Sequence, residues 1–521
     1  MKLWIVSMEC AGIAEAGGVK NVTFSLCNEF SKLNNKVTLF IPVFKCNSWA
    51  HIKNLNKNAA EAEIYLCGES QTVTYSTAEF DTSDFSIVFV NHPSFAEKEG
   101  VYTYTENEEC LDCSHKKGSG HTDALFKDIL FQKAVCQYAM MQKKADLPEI
   151  IHCQDASTAT LPALLAQEKK LSKIKTVVTI HNCGPAYHHN FSSVGEAAWY
   201  TDLPVSILYK SQNRSMIEPF LLAAESGAHL TTVSEDYAKE LTDPDNYDLT
   251  DGLAPIFYER KIKITGITNG FDFDRYNPAD KNASLLPFEF NPEKRDLDGK
   301  WKCRKFFIQN VINTENYDCS GVKKYGKLDC SSDFSKEIYI AYHGRFASQK
   351  GLNILASSVP VILETFPFVR FVFMGQGEVD LENAIIDLTK LFPGKITYLN
   401  GYNQSIARMV CAINDFIVLP SYFEPCGLED FIAQVYGTLP VAHRTGGLNK
   451  IINEKSGYLY DRNSSECLTA KLCEVIMIKK LKAGEITKVI KSAASYIHKE
   501  YLWKTVVQKK YIPFFKEILK N

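Results

Sequence analysis

Ser421-Tyr-Phe-Glu-Pro-Cys-Gly-Leu428 lies between an apolar run, Phe416–Leu419, and a helical pattern at 431–436. The run reads as a buried strand, and Pro425 and Gly427 are turn residues. The stretch is therefore a strand-to-helix elbow that carries one carboxylate, Glu424. In open α/β sheets ligands bind outside the carboxyl ends of the strands, which aims Glu424 at a ligand. A second elbow, Val441-Ala-His-Arg-Thr-Gly-Gly-Leu448, follows one helix later. Two such elbows in succession suggest one site that grips a sugar nucleotide.

Outward from this elbow, short apolar runs alternate with helical patterns. In the first half, strands are expected at 3–6, 36–41, 86–90, 150–152, 176–180 and 230–233, with helices near 20–33, 122–142, 157–168 and 216–226. In the second half, strands fall at 338–342, 369–374, 396–399, 416–419 and 439–442. Helices there lie near 350–364, 379–391, 404–413, 428–436 and 466–478. This rhythm defines an α/β chain with mostly parallel, doubly wound sheets. Two Rossmann-like domains facing across a cleft is the simplest architecture. The expected division is 1–262, joined by a returning helix at 498–521, and 263–497. The second domain includes a polar excursion at about 281–335, read as lying beside the hinge, with a helical piece near 299–311.

The length, 521 residues, is too great for one core and fits about two to three domains. A net charge of −3 gives no reason to expect nucleic acid or an anionic membrane as partner. No apolar segment approaches a membrane span, and the N-terminus runs at once into a strand. The sixteen cysteines are scattered, which favours reduced thiols in a cytoplasm over a disulfide framework. Cys110-Leu-Asp-Cys113-Ser-His115, with His121 beyond, could hold zinc, but its spacing matches no standard structural site. A cysteine-rich surface loop outweighs that reading, and no metal or cofactor is expected.

Several constellations carry chemistry. In Gly344-Arg345-Phe-Ala-Ser-Gln-Lys350-Gly351 a strand end is followed by two cations and a helix start, a combination suited to neutralising a diphosphate leaving group. Glu424 either caps its own loop or accepts from sugar hydroxyls, and Cys426, Gly427 and Leu428 offer backbone N–H groups beside it. Thr445, Gly446 and Gly447 form the second turn. In the first half, Thr179-Ile-His181-Asn182 ends a strand with a histidine able to meet a sugar hydroxyl or the reacting centre, or simply to bond a core carbonyl. Asp155 occupies the same place one strand earlier. Gly17 and Gly18 open the first helix as a phosphate- or sugar-approaching turn, without the full G-x-G-x-x-G fingerprint of a dinucleotide oxidoreductase. Asn269-Gly270 marks a tight turn.

Taken in order, these residues resemble bacterial glycogen synthases and plant starch synthases. The resemblance rests on Arg345 with Gln349-Lys350-Gly351, on Phe423-Glu424-Pro425-Cys426-Gly427-Leu428, on Tyr436-Gly437 and on Arg444-Thr445-Gly446-Gly447-Leu448. Gly17-Gly18, His152 with Asp155, Thr179-Ile-His181-Asn182, Val233-Ser234 with Tyr237-Ala238, and Asn269-Gly270 complete it. The resemblance implies a GT-B glycosyltransferase that moves glucose from ADP-glucose to the non-reducing end of an α-1,4-glucan such as glycogen, with retention. It implies that Arg345 and Lys350 neutralise the diphosphate, that Glu424 holds glucose hydroxyls, and that His181 meets the donor sugar near the reacting carbon. Asp155 would contact sugar or acceptor.

The chain departs from the family pattern at four places. Glu15 stands where the family has a loop lysine, Asn21 where an acid is usual, Ala156-Ser157 follow Asp155, and Asp430 replaces a glutamine. Other retaining GT-B enzymes carry a second glutamate eight residues after the first, where this chain has Ile432. Two alternatives follow: a GT-B transferase with another acceptor, or a silent glucan-binding homologue.

Overall fold

The structure is a computed structural model and describes residues 1–315, 317–329 and 336–520. The chain forms two compact units, Met1–Asn269 with Val506–Asn521, and Gly270–Thr505.

The first unit is built on β1 (Lys2–Val6), β2 (Lys36–Pro42), β3 (Ile52–Leu66), β4 (Glu69–Phe80), β5 (Ser86–Asn91), β6 (Ile150–Gln154) and β7 (Lys175–Ile180). A small hairpin, β8 (Gln212–Asn213) with β9 (Met216–Ile217), stands apart, and β10 (His229–Thr232) and β11 (Ile264–Gly266) complete the main sheet. Its order is β11-β10-β7-β6-β1-β2-β5-β4-β3, parallel except where β4 joins β3 and β5. The parallel strands are almost wholly buried, as continuous apolar runs require when helices cover both faces.

The β3–β4 hairpin escapes a search for buried runs. The first half of β3 is polar and exposed, with Ala62, Ile64 and Leu66 alternating inward only at its end. Cys67 and Gly68 both have positive φ (54° and 80°), the geometry of a two-residue hairpin turn. The C-terminal helix returns to this unit because its aromatics have a place there. Phe515 stacks on Phe30 with centroids 5.3 Å apart, and Tyr511 meets the same ring edge-on.

The second unit has β12 (Val322–Tyr325), β13 (Ile338–His343), β14 (Val369–Gly375), β15 (Ile396–Gly401), β16 (Phe416–Leu419), β17 (Leu439–His443) and β18 (Tyr458–Tyr460). Their order is β12-β15-β14-β13-β16-β17-β18, with only the β12 edge antiparallel. Alternate residues of β14 feed two apolar clusters: Val372 and Met374 one, Phe371 and Phe373 the other.

One expectation needs correction. The junctions fall at Asn269/Gly270 and Thr505/Val506, not at 262/263 and 497/498. β11 pairs with β10 and extends the first unit. Gly270 abuts Trp503 so closely that a Cβ there would lie 2.4 Å from the indole, which keeps 503 with the second unit. The polar excursion contributes Phe290, Cys303, Phe307, Ile308 and Val311 to the core of the second unit. Its basic residues look like surface only in sequence. Lys300, fully buried, donates to the Ala412 carbonyl, to Tyr436 O (3.1 Å) and to Thr438 Oγ1 (2.8 Å). Arg304 pairs with buried Asp415 at 2.9 Å, whose other oxygen meets Lys479 at 3.0 Å. Residues 316 and 330–335 of the excursion lie outside the described residues.

Candidate functional site

In the second unit, three neighbouring strands, β13, β16 and β17, deliver their carboxyl ends to one place. After β13 the chain makes a turn at Ser348–Lys350 and enters the helix Leu352–Thr365 through Gly351, whose φ is +66°. A Cβ at Gly351 would sit 1.9 Å from the Pro420 carbonyl, so only glycine lets the two elbows approach. Gly351→Ala is therefore expected to cost about 2–3 kcal/mol and to lower the unfolding midpoint by roughly 5–10 °C in a thermal melt.

The elbows are then laced together. Tyr422 N donates to Gln349 O at 2.9 Å, and Gln349 Nε2 donates to Phe423 O at 3.1 Å. Gly447 N donates to Glu424 O at 2.7 Å, and Thr445 Oγ1 donates to Tyr422 O at 3.3 Å. A Cβ on Gly447 would lie 2.2 Å from Cys426 O. The second elbow is thus folded flat on the first.

Within this frame Lys350 Nζ and Glu424 Oε2 form a half-buried pair at 2.6 Å, and Ser421 Oγ donates to the same oxygen at 3.3 Å. Burial alone would lower the Lys350 pKa, but the adjacent Glu424 and, less strongly, Glu429 hold it above the ordinary value. Of the two expected cations, only Lys350 is anchored in this way; the Arg345 side chain is exposed, and its carbonyl accepts from Tyr342 Oη at 3.0 Å. Cys426, Gly427, Thr445, Gly446 and Gly447 are buried around the pair, with Leu428 half-buried.

Sequence reasoning passed over Glu429, the first residue of the helix Glu429–Val435. Burial raises its pKa, but the Lys350 charge, then His343 and the N–H groups of residues 429 and 428, bring it below the ordinary value. The acidic pair Glu429-Asp430 directly after the loop was the available signal.

The first unit holds the remaining expected residues. Gly17 N does not point outward: it donates to Glu9 Oε2 at 2.6 Å, and Ala16 N to the same oxygen at 3.0 Å. Glu9, buried at the end of β1 and also overlooked in sequence, thus shapes the glycine turn from beneath. Nothing crowds Gly18, so space alone does not require glycine there. Glu15 accepts from Gly12 N at 2.8 Å and pairs with Lys20 at 2.8 Å. The carboxylate that replaces the family lysine therefore neutralises the nearest cation.

Asp155 and His181 lie together at the ends of β6 and β7, with His181 N donating to Asp155 Oδ1 at 3.4 Å. Asp155 has a φ of +67°, an outlier for a residue with a side chain and a mark of a constrained site. Burial pushes its pKa up to about 7, against the opposing effects of His189 and the N–H groups of 181, 156 and 182. Burial drives His181 down to about 3, so it is neutral at pH 7, with Nε2 against Gln154 Oε1 at 2.9 Å. His152 instead faces the interior, with Nε2 2.7 Å from Thr179 Oγ1. Asn269 is buried, and its Oδ1 has no hydrogen-bond partner among the described residues. In the 110–121 loop, Cys110 and Cys113 are exposed and His115 stacks on Tyr104.

Two wound sheets with strand-end elbows define a GT-B glycosyltransferase fold, and comparison with known proteins agrees. The catalytic domain of starch synthase IV from Arabidopsis thaliana, solved with ADP and acarbose, superposes with a TM-score of 0.79 at 20% identity, covering 100% of this chain and 99% of that one. Residues 2–255 match the starch synthase catalytic domain and residues 337–477 match glycosyl transferases group 1. Glycogen synthase of Thermodesulfovibrio yellowstonii is 28% identical over 540 aligned positions, covering 100% of this chain and 98% of that protein. Glycogen synthase of Lactococcus lactis is 27% identical, covering 99% and 100%. The chain is thus similar over its full length to glycogen synthases, and its two halves match the starch synthase catalytic domain and glycosyl transferases group 1.

Proposed function

We propose that the protein is an α-1,4-glucan synthase that transfers glucose from ADP-glucose to the 4-hydroxyl at the non-reducing end of glycogen, in a cytoplasm. The observation that carries this reading is the Lys350–Glu424 pair, held at 2.6 Å where three strand-end elbows meet, in a chain similar to glycogen synthases over its full length. Lys350, with Arg345 beside it, would neutralise charge that develops on the diphosphate as the glycosidic bond breaks. Glu424, an acceptor only, would take the donor-sugar hydroxyls once a diphosphate draws Lys350 away from it. His181, neutral at pH 7, can accept or donate one hydrogen bond near the reacting carbon without adding charge. Asp155 would accept from a sugar hydroxyl, a role that needs the carboxylate form.

ADP-glucose is preferred over UDP-glucose on the strength of resemblance, including the ADP bound to the starch synthase IV structure. The test is incorporation of labelled glucose from each donor into glycogen by purified protein. Faster incorporation from ADP-glucose supports the reading. One observation favours a second reading, a silent glucan-binding homologue: Glu15 takes up Lys20 in a loop where the family has a lysine. Nucleotide binding without incorporation from either donor would establish that alternative.

The Asp155 environment predicts a pH dependence. Because its pKa is raised to about 7, the carboxylate form grows as pH rises through 7. The transfer rate is expected to climb between about pH 6 and 8. Asp155→Asn should be slower and should lack that limb.

A further inference from the structure

We propose that Lys450 is a positioning residue of the donor site, its buried ammonium tying the loop 426–430 to the turn 445–447 so that loop peptide N–H groups face the ligand. This inference rests on the donor reading above. The side chains of Lys450 and Asp430 are 5% and 0% exposed, and they pair at 2.9 Å. The same ammonium donates to the Cys426 carbonyl, to Gly427 O at 3.0 Å and to Gly447 O at 3.0 Å. It also lies 4.5 Å from the centre of the Phe431 ring. One cation therefore gathers carbonyls from both elbows, the two segments for which the sequence predicts ligand contact.

The consequence for the N–H groups is geometric. In a trans peptide the C=O and the following N–H point in opposite directions, and no cis peptide occurs among the described residues. Turning the carbonyls of 426 and 427 toward Lys450 turns the N–H groups of Gly427 and Leu428 away from it. A Leu428 N–H so directed faces an anion, the Glu429 carboxylate. Gly427 must be glycine for the ammonium to reach. Its φ is +75°, and an added Cβ would lie 2.9 Å from Asp430 Oδ1 and 3.1 Å from Lys450 Nζ. Asp430, by contrast, supplies charge balance and touches neither elbow's carbonyls.

The test compares ADP binding by titration calorimetry in wild type, Lys450→Met/Asp430→Leu and Asp430→Asn, with thermal melts of each. Replacing both members of a buried ion pair by apolar residues preserves folding in many proteins, which makes the double variant suitable. The double variant is expected to bind ADP at least tenfold more weakly while melting cooperatively. Asp430→Asn, which keeps the ammonium and its three carbonyls, should stay within about threefold of wild type. KM for glycogen should not move in either variant. Wild-type ADP affinity in the folded double variant overturns the proposal, as does an equal loss in Asp430→Asn. Should the double variant fail to fold, Asp430→Asn still decides: retained affinity supports the role of the ammonium, and a tenfold loss overturns it. Wild-type protein that binds neither ADP nor UDP sinks the donor reading and this inference with it, a result distinguishable from a variant that merely matches a binding-competent wild type.

Discussion

Lys350→Ala is expected to lower glucosyl transfer about a thousandfold while leaving the protein folded. Removal of one preorganised charge-stabilising group from a site of this kind costs about 10²–10³ in turnover. Here the loss falls at the upper end for a local reason. Lys350 is the cation that neutralises Glu424, at 2.6 Å, and it also lowers the Glu429 pKa. Its removal deletes a positive charge and leaves two carboxylates facing the incoming diphosphate. Arg345 does not substitute, because its side chain is exposed rather than held between the elbows. Folding should survive, since the lacing of the elbows runs through the backbone of 349, 422, 424 and 447, which the substitution does not touch. The measurement is the initial rate of labelled glucose incorporation, with circular dichroism as the folding check. A rate near that of wild type would remove Lys350 from the mechanism.

The strand-end elbows were legible in sequence because each obeys local rules: an apolar run, a turn residue, then helical periodicity. That is why β13, β16 and β17 and the residues at their ends lie where expected. Other features depend on partners distant in sequence. The β3–β4 hairpin has a solvated face, so its strands show no buried run. In the polar excursion Lys300 and Arg304 are buried against acceptors more than a hundred residues away, partners that no local pattern names. At Gly17 the sequence shows a flexible turn but not that Glu9 already occupies its N–H. Lys450 likewise looks like a surface lysine until Asp430 and three carbonyls surround it. Local pattern reveals where a ligand-facing loop begins; which of its groups remain available is decided by long-range pairing.

Glu429→Gln is expected to tighten ADP binding about tenfold. The Glu429 carboxylate faces Lys350, the N–H of Leu428 and its own N–H, the kind of cradle that suits a phosphate oxygen. In the ligand-free protein it therefore serves as an internal anion at the seat that the proposed function gives to the diphosphate. Two unit charges about 6 Å apart at an effective dielectric near 20 repel by roughly 3 kcal/mol. About half of that, ~1.4 kcal/mol, is tenfold in affinity, and the remainder is absorbed as the side chain swings away and solvent screens it. Glutamine keeps the shape and an acceptor oxygen but no charge, so a gain in affinity isolates the electrostatic contribution.

The same geometry sets a pH signature. Lys350 and His343 hold the Glu429 pKa below the ordinary carboxylate value. A diphosphate that engages Lys350 withdraws this support and adds negative charge, which raises that pKa. Nucleotide binding thus takes up a proton at Glu429, and affinity should rise as pH falls toward the carboxylate range. The titration of ADP itself is common to both proteins, so the informative quantity is the difference in slope between wild type and Glu429→Gln across about pH 4.5–7. A steeper slope in wild type and a tighter variant at pH 7 are the expected pair. Unchanged affinity at pH 7 would mean that Glu429 leaves the seat before the nucleotide arrives.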